Sequence, residues 1–414
     1  MRGERVIVHA DCNNFYASCE CLERPELRDV PMAVAGDPEN RVGVVVAKNE
    51  LAKQFGVRTT DTVYAARQKC PGIVFVPPRH GYYSKISKRV NAIYREYTDY
   101  VEPASIDESF LDVTEALPFY GLTARDFADQ LRERVKAEIG ITISVGVSFC
   151  KVFAKMGSDY KKPDATTLVT RENYRDLLWP LPVGDLFFAG HAAAEKLIRH
   201  DIRTIGDLAN ADPAEVQRLL GKQGHVLWQY ANGIDDSPVK LFGEKREIKS
   251  VSRGHTFRRD LVTEAEVRTG IGALVDEVAR SLRRHGLKGA VVSVQIRRPD
   301  MTVVSRQTTL DHNTHLQHEI QDVAFRLVKE HWRVGPTQPI RALTVGVTKL
   351  VPADEAVEQM SMFDMMENGN AARDRQERLE AAVEAVRRKH GDGSITLGYR
   401  ENADIGVRRP GKKI

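Results

Sequence analysis

Two adjacent acids, Asp107 and Glu108, stand in the segment PASIDESFLDVT, residues 103–114, whose other side chains are mostly small or apolar. Adjacent side chains of an extended strand point to opposite faces, so these two share a target only where the backbone turns. The flanking segments YVEPAS and SFLDVT have the pattern of strands, which places both acids at the tip of a predicted hairpin. A third acid, Asp11, ends a buried strand predicted at residues 5–10.

Three carboxylates at the strand ends of one sheet predict an oxygen-lined site for a hard cation. Mg²⁺ takes carboxylate ligands together with substrate phosphates. Two such ions hold both the attacking and the leaving oxygen of an in-line displacement. The same residues also fit a solvated turn, and Asp11 alone also fits a helix cap, so the spacing by itself leaves these alternatives open.

The composition predicts several domains and locates the basic charge. A chain of 414 residues with 42% hydrophobic content is long enough for about two to four domains with buried cores. The net charge is only +4, but residues 246–350 contain 18 Lys and Arg against 11 Asp and Glu. This segment therefore carries +7, which is typical of phosphate contact, although a charged solvated face has the same composition.

Membrane and disulfide classes are not favoured by the sequence. The first residues, MRGERVIVHADCN, lack the pattern of a signal peptide, and no apolar run reaches about 18 residues. The cysteines are odd in number and lack a C-x-x-C pair: Cys12, Cys19, Cys21, Cys70 and Cys150. We expect reduced thiols in a cytoplasmic protein that does not contact a membrane.

The pattern of apolar residues changes along the chain and predicts an α+β multidomain protein. Strand-like and helical segments alternate up to residue 165, and short helices with Gly and Pro between them follow up to 232. Turn residues then predict a linker, after which strands and helices alternate again from 246. The polar end of the chain contains a predicted charged helix, ARDRQERLEAAVEAVRRKHG.

Several motifs in a fixed order are familiar. HADCNNFYASCE precedes NELAKQFGVRT, YYSKISKRV, SIDESFLDVT, ISVGVSFCKVFAKMGSDYKKPD, IRTIGDLAN and YANGIDDSPV. In this order they resemble the Y-family DNA polymerases of the DinB and UmuC types, and the resemblance covers about residues 5–350. It implies a right-hand polymerase with palm, fingers, helical thumb and an α+β little finger. The implied boundaries are palm 1–20 and 76–165, fingers 21–75, a helix-hairpin-helix-like thumb 166–232, linker 233–245, little finger 246–351 and C-terminal tail 352–414.

The resemblance also implies the chemistry. Asp11, Asp107 and Glu108 match the catalytic metal carboxylates of the family, and the Cys12 carbonyl matches a backbone metal ligand. The reaction is then attack of a primer 3′-hydroxyl on the α-phosphate of a dNTP, with two Mg²⁺ ions and release of pyrophosphate. The family further implies low-fidelity translesion synthesis on primer–template DNA, without proofreading.

Nucleotide contacts are implied by the same resemblance. Tyr16 matches the steric gate, an aromatic ring that leaves no room for a ribose 2′-hydroxyl, although a core aromatic is the alternative. Contacts to the triphosphate are implied for Asn14, Phe15, Lys48, Lys53, Tyr83 and Lys162. Two motifs depart from many DinB members. AKNELAK, residues 47–53, is nearer the UmuC pattern, and Phe188-Ala189-Gly190 retains only the second glycine of a thumb Gly-x-Gly turn.

A short apolar motif, EQMSMFD, stands in the polar tail. Its side chains resemble the Q-x-x-[LM]-F peptides that bind bacterial sliding clamps, with contacts expected from Gln359, Met360, Met362 and Phe363. A sliding clamp bound through residues 359–364 tethers the enzyme and raises its effective concentration at the primer end. The alternative is an apolar patch that packs on its own domain.

Two other functions share parts of this pattern. A non-catalytic DNA-binding or clamp-bound protein has no use for three acids and Tyr16 together. A nucleotide cyclase or nuclease uses a similar metal site, but the paired helices, the basic segment and the clamp-like peptide favour a DNA duplex as substrate.

Overall fold

The computed structural model describes residues 4–37, 41, 43–244, 247–355, 369–391, 393–395 and 403–407. The expected clamp-binding residues 359–364 lie outside these ranges. Contacts divide the chain into two compact units. Unit 1 comprises Met1–Gly36 and Val44–Lys245, and unit 2 comprises Asp37–Gly43 and Arg246–Ile414.

Unit 1 contains two sheets. Its strands are β1 (Ile7–Cys12), β2 (Met32–Ala35), β3 (Val45–Lys48), β4 (Val74–Val76), β5 (Val101–Pro103), β6 (Glu108–Asp112), β7 (Ile143–Ser148) and β8 (Thr166–Val169). The larger sheet has the order β5-β6-β1-β7-β8, in which only β7 and β8 run parallel. The smaller sheet has the order β3-β2-β4. Strand β1 is therefore the central strand of the larger sheet, with neighbours on both sides.

The helices of unit 1 pack on these sheets or on one another. They are α1 (Phe15–Glu23), α2 (Glu50–Gln54), α3 (Val63–Lys69), α4 (His80–Arg95), α5 (Ala116–Tyr120), α6 (Ala124–Ile139), α7 (Lys151–Tyr160), α8 (Tyr174–Leu178), α9 (His191–Ile198), α10 (Ile205–Asn210), α11 (Pro213–Leu220) and α12 (Lys222–Ala231). Helices α8 to α12 share a core that includes Leu178, Leu197 and Leu227.

Side chains alternate along β1, so successive residues contact different elements on the two faces of the large sheet. Val8, Ala10 and Cys12 point into an apolar core that also contains side chains of α4 and α6. His9 and Asp11 point to the other face, where α7 packs against β1 and β7. The mostly apolar strand β1 thus carries a single acid, Asp11, close to its end.

Unit 2 is an antiparallel sheet with helices on one face. Its elements are β9 (Ser250–Leu261), α13 (Glu264–Arg284), β10 (Leu287–Arg297), β11 (Val303–Thr314), α14 (Gln317–His331), β12 (Ile340–Pro352) and α15 (Gly369–His390). The strand order is β11-β10-β12-β9. Valines that alternate along β10 and β12 pack with α13 and α14 in one apolar core.

Helix α15 docks on unit 2 through ion pairs that are largely removed from water. Arg387 Nη1 lies 3.1 Å from Asp276 Oδ1 of α13, and both side chains are less than 5% exposed. Arg373 Nε lies 2.9 Å from Glu319 Oε1 of α14. The sequence predicted this helix, but its polar composition gave no sign that it packs on the preceding module.

The division between the units falls next to Arg246, where the sequence predicts the little finger to begin. The segment Asp37–Gly43, which lies within the predicted fingers 21–75, groups with unit 2. Arg41 Nη1 of this segment lies 2.5 Å from Asp260 Oδ1. The palm, fingers and thumb boundaries within unit 1 stay predictions. Within the described ranges, no helix has both the length and the apolar character needed to cross a membrane.

Candidate active site

Two of the three predicted carboxylates face each other across neighbouring strands. In the antiparallel register of β1 and β6, Asp11 is the direct partner of Glu108. Side chains of directly opposed residues point to the same face, with Cβ atoms about 5 Å apart. The acids are 97 residues apart in sequence, and the sheet register alone brings them together.

The third carboxylate, Asp107, lies on the adjoining turn. Strands β5 and β6 form the hairpin, and Glu108 is the first residue of β6. The Cys12 N–H donates to the Asp107 carbonyl oxygen at 3.0 Å, so this residue lies beside the end of β1. Its carboxylate accepts a hydrogen bond from the Ser105 hydroxyl at 2.5 Å. Asp107 is thus next to the acid pair, but its side chain is held by its own turn.

Two lysines of α7 and the loop after it supply positive charge to the acid pair. Lys155 Nζ lies 2.5 Å from Glu108 Oε1 and 3.2 Å from Asp11 Oδ2, and its side chain is only 13% exposed. Lys162 Nζ lies 2.6 Å from the same Asp11 oxygen and 2.8 Å from Asp159 Oδ1. The Lys155 ammonium therefore lies between the two carboxylates and pairs with both.

The two acids respond to this environment in opposite directions. Burial raises the pKa of Asp11, but the hydrogen bond to Glu108 and the charges of Lys162 and Lys155 outweigh burial, and the net pKa is lowered. Burial and the hydrogen bond to Asp11 raise the pKa of Glu108 despite the charge of Lys155. A proton taken up by the pair is thus held preferentially on Glu108.

The donor set fits a hard divalent cation in chemistry. Carboxylate oxygens of Asp11 and Glu108 converge, and the Lys155 ammonium lies at the point between them where a cation would bind. Among the residues that the structure describes, no three side chains of His, Cys, Asp or Glu converge as a ready metal site. The Asp107 carboxylate accepts the Ser105 hydroxyl instead of joining Asp11 and Glu108. The Cys12 thiol points into the core, which leaves only the backbone of this residue available to a ligand.

Tyr16 lies at the start of α1, close to the acids. Its ring is stacked on Tyr83 with centroids 4.3 Å apart and an interplanar angle of 17°, and the His80 ring meets it edge-on at 5.7 Å. Burial and the nearby charge of Asp107 raise the pKa of the Tyr16 hydroxyl. The ring is therefore supported on one side by Tyr83, and its role as a steric gate stays a prediction.

The residues around the start of α1 have different surroundings. Asn14 adopts a left-handed conformation with φ of 49° at the helix N-cap, and its amide donates to Glu50 Oε1 at 3.0 Å. Phe15 is buried in the core, so only its backbone is available to a ligand. The N–H groups of the first helical turn have no intrahelical acceptors, which makes this end of α1 suitable for an anion.

The predicted cationic contacts fall in two places. Lys162 lies at the acid pair, whereas Lys48 and Lys53 lie on β3 and α2. Burial and the charge of Lys53 lower the pKa of Lys48. A contact of Lys48 or Lys53 with a phosphate stays a prediction.

Tyr83, which the resemblance implied as a triphosphate contact, lies in a buried environment. It is fully buried, and its hydroxyl donates to Glu20 Oε1 at 2.7 Å. With its donor used and no surface exposed, this side chain supports the Tyr16 ring from behind.

Lys155 was not identified from the sequence as a site residue. Lys155, Asp159 and Lys162 are spaced by four and three residues along and just beyond α7, which places them on one face of the helix. This spacing within VFAKMGSDYKK is the signal that identifies them, once α7 is known to lie over β1.

Comparison with known proteins identifies the family of the chain. The model of the impB/mucB/samB family matches residues 10–159, and that of the impB/mucB/samB family C-terminal domain matches residues 248–362. A relative in Acetivibrio thermocellus named DNA polymerase IV is 43% identical over 395 residues, which cover 95% of this chain and 97% of the relative. DNA polymerase IV 1 of Bacillus subtilis is 35% identical, with 95% and 92% covered.

A solved structure supports the fold class. The Y-family DNA polymerase chimera Dbh-Dpo4(243-245)-Dbh matches with a TM-score of 0.73 and 21% sequence identity, and the match covers 84% of this chain and 99% of the chimera. This likeness confirms the α+β right-hand polymerase fold expected from the sequence. Together with the family models and relatives, it shows that the chain belongs to the impB/mucB/samB family, the Y-family DNA polymerases.

Proposed function

We propose that this DNA-directed DNA polymerase is a low-fidelity translesion enzyme. It adds dNTPs to a primer 3′ end by two-metal phosphoryl transfer with Mg²⁺ and does not proofread. The observation that carries the proposal is the register of β1 and β6, which sets Asp11 against Glu108 with Asp107 on the adjoining turn. Tyr16 and the N-terminus of α1 lie beside these acids.

Asp11, Asp107 and Glu108 would hold the divalent ions. Asp11 and Glu108 provide oxygens on one face of the sheet, whereas Asp107 would first have to release the Ser105 hydroxyl. When bound, such ions would supply activation of the primer hydroxyl and charge stabilisation at the phosphate oxygens. Lys155 and Lys162 then neutralise the negative charge that the triphosphate adds to the site.

The nucleotide is held by backbone and side-chain donors. The first turn of α1, after Asn14, offers N–H groups to phosphate oxygens. Lys48 and Lys53 add positive charge beyond this helix end. A deoxyribose packs against the Tyr16 ring, and the additional 2′-oxygen of a ribonucleotide clashes with that ring.

Unit 2 offers a surface suited to the DNA backbone. The sheet face opposite α13 and α14 carries polar side chains, such as Ser293 and Gln295 of β10 and Thr344 of β12, which is directly opposite Gln295. Exposed Arg297, on the same face of β10 as Ser293 and Gln295, adds positive charge. Hydroxyl and amide groups contact phosphates without reading base sequence, as a polymerase that copies any template requires.

The clamp contact and the location in the cell belong to the same proposal. Residues 359–364 bind the sliding clamp through Gln359, Met360, Met362 and Phe363. The cysteines of the chain are free and buried, which is consistent with a reducing cytoplasm.

Primer extension tests the site directly. Purified enzyme with Mg²⁺, a primer–template and dNTPs should extend the primer, and Asp107→Ala should abolish extension. Asp236→Ala, a change at an exposed aspartate outside the site, is the control and should extend normally. Extension by Asp107→Ala at the control rate would show that the chemistry uses other residues.

The translesion part of the proposal has its own assay. Templates with an abasic site or a bulky guanine adduct should be copied past the lesion. Misincorporation on undamaged templates should exceed that of a proofreading polymerase measured in parallel. Arrest at every lesion together with high fidelity would contradict this part and leave the polymerase activity itself intact.

A further inference from the structure

A fully buried carboxylate lies outside the acid cluster and takes no part in the chemistry above. Glu20 of α1 has no exposed surface. It forms ion pairs with Arg24 and with Arg79, whose Nε lies 2.8 Å from Glu20 Oε1. Its third partner is the Tyr83 hydroxyl.

Burial of such a group is costly, which makes its position informative. Removal of a carboxylate from water costs several kcal/mol unless charged and hydrogen-bonding partners compensate. The bonds to Arg79 and Tyr83 outweigh the effect of burial, and the pKa of Glu20 is lowered. Glu20 therefore stays ionised and remains a strong acceptor for Tyr83.

Helical spacing links this carboxylate to the gate residue. Tyr16 and Glu20 are four residues apart on α1, so both side chains lie on the same face of that helix. Tyr83 of α4 contacts both: its ring is stacked on Tyr16, and its hydroxyl is bonded to Glu20. One end of the Tyr83 side chain is thus anchored while its face forms the wall behind Tyr16.

The other edges of this wall are also closed. His80 meets both tyrosine rings edge-on, at 5.7 Å from Tyr16 and 6.0 Å from Tyr83. Arg79 Nη1 additionally lies 2.5 Å from Glu23 Oε2, which fixes the guanidinium that holds Glu20. The Tyr16 ring has little room to retreat without disruption of these contacts.

We propose that Glu20, through its bond to the Tyr83 hydroxyl, fixes the position of the Tyr16 ring and so determines the exclusion of ribonucleotides. This inference rests on the proposed role of Tyr16 and identifies Glu20 and Tyr83 as positioning residues for it. Sugar selection depends on one oxygen atom, so a small retreat of the ring is enough to admit a ribose. An anchored wall prevents that retreat.

The test is Tyr83→Phe, which keeps the stacked ring and removes only the bond to Glu20. The ratio of kcat/KM for a dNTP to kcat/KM for the matching ribonucleotide should fall about tenfold, the equivalent of about 1.4 kcal/mol. The fall should come from faster ribonucleotide insertion, with dNTP insertion within about twofold of wild type. Glu20→Gln should change the ratio in the same direction. Tyr82→Phe, the same substitution one residue earlier, is the matched control and should leave the ratio unchanged.

A merely structural network gives a different result. In that case Tyr83→Phe lowers the melting temperature, or slows insertion of both sugars equally, and the ratio stays at the wild-type value. Either outcome overturns the inference. If Tyr83→Phe does not fold, Glu20→Gln decides, and an unchanged ratio in that variant overturns the inference.

Combining Tyr83→Phe with Tyr16→Ala distinguishes the proposed role of Glu20 and Tyr83 from the proposed role of Tyr16 itself. If Tyr83 acts through the Tyr16 ring, addition of Tyr83→Phe to Tyr16→Ala should not change the ratio further. Unchanged sugar selection in Tyr16→Ala alone would refute the proposed gate. A loss of selection in Tyr16→Ala with none in Tyr83→Phe would leave the gate intact and refute only the role of Glu20 and Tyr83.

Discussion

Gly146 of β7 lies directly beneath α7, and its replacement by alanine tests whether α7 positions the acid pair. A Cβ atom at this position would lie 2.0 Å from the Ala154 carbonyl oxygen and 2.3 Å from the Ser158 backbone nitrogen. Ordinary contact begins near 3.4 Å, and both obstacles are backbone atoms of the helix. Gly146→Ala therefore forces α7 away from the sheet by about 1 Å.

This displacement reaches the chemistry through one side chain. Helix α7 carries Lys155, whose ammonium lies 2.5 Å from Glu108 and 3.2 Å from Asp11. A misplacement of about 1 Å in an active site costs about 10²-fold in rate. We therefore expect the rate of single-nucleotide insertion to fall by about that factor in Gly146→Ala.

Substitutions at two further glycines provide a smaller displacement of α7 and a control without displacement. A Cβ atom on Gly157 would lie 3.1 Å from Gly146 Cα, so Gly157→Ala requires a shift of only a few tenths of an ångström. Its insertion rate should fall less than tenfold. Gly72 has no atom within 4 Å of such a Cβ, and Gly72→Ala is the control with wild-type rate.

The assay is single-turnover insertion of one dNTP, with circular dichroism and melting temperature measured on the same samples. The reasoning is refuted if Gly146→Ala folds and inserts at the wild-type rate, because the helix then does not need its close approach. If Gly146→Ala does not fold, Gly157→Ala decides: a rate equal to that of the Gly72→Ala control would contradict the role of α7.

Three other predictions concern different parts of the chain. Lys155→Met leaves Asp11 and Glu108 with less compensating charge. The melting temperature without divalent ions should therefore fall, and the increase in melting temperature on addition of Mg²⁺ should exceed that of the wild type. An equal increase would contradict the contact of Lys155 with both carboxylates. Burial raises the pKa of Glu319, but hydrogen bonds from His312 and Thr314 and the charge of Arg373 bring it from 4.5 down to about 2. Glu319→Gln should therefore lower the free energy of unfolding at pH 7 by up to about 3 kcal/mol, and the difference from wild type should shrink as the pH falls from about 4.5 toward 2; a pH-independent difference would show that the charge is not involved. Deletion of 359–364 should remove stimulation by a sliding clamp without a change in the unstimulated extension rate, and stimulation that survives would refute the clamp contact.

The sequence identified the acids because strand ends and turns are local features. The apolar run 5–10 and the hairpin around Asp107 are readable from alternation and turn residues, and the structure has β1 and the β5–β6 hairpin there. The pairing of Asp11 with Glu108 was not readable, because it depends on which strands become neighbours in the sheet. The family resemblance supplied that connection.

Side-chain partners were the least accessible feature. Tyr83 was expected at a phosphate, whereas its hydroxyl is bonded to the buried carboxylate of Glu20. The contact of Lys155 with the acids depends on how close α7 lies to the sheet, which Gly146 permits but its type alone does not reveal. In the same way, the bond between Arg387 and Asp276 joins a polar helix to a module more than a hundred residues earlier, and no local pattern predicts such a pair.

The central position of β1 makes catalytic competence a property of the completed sheet. Because side chains alternate along a strand, a slip of one residue between β1 and β6 turns Asp11 into the apolar core and brings Ala10 or Cys12 in its place. With the metal-binding role proposed for Asp11, a partly folded chain in which β1 is mispaired is expected to be inactive rather than weakly active. Nucleotide insertion by this protein thus also reports that β1 has found its native neighbours.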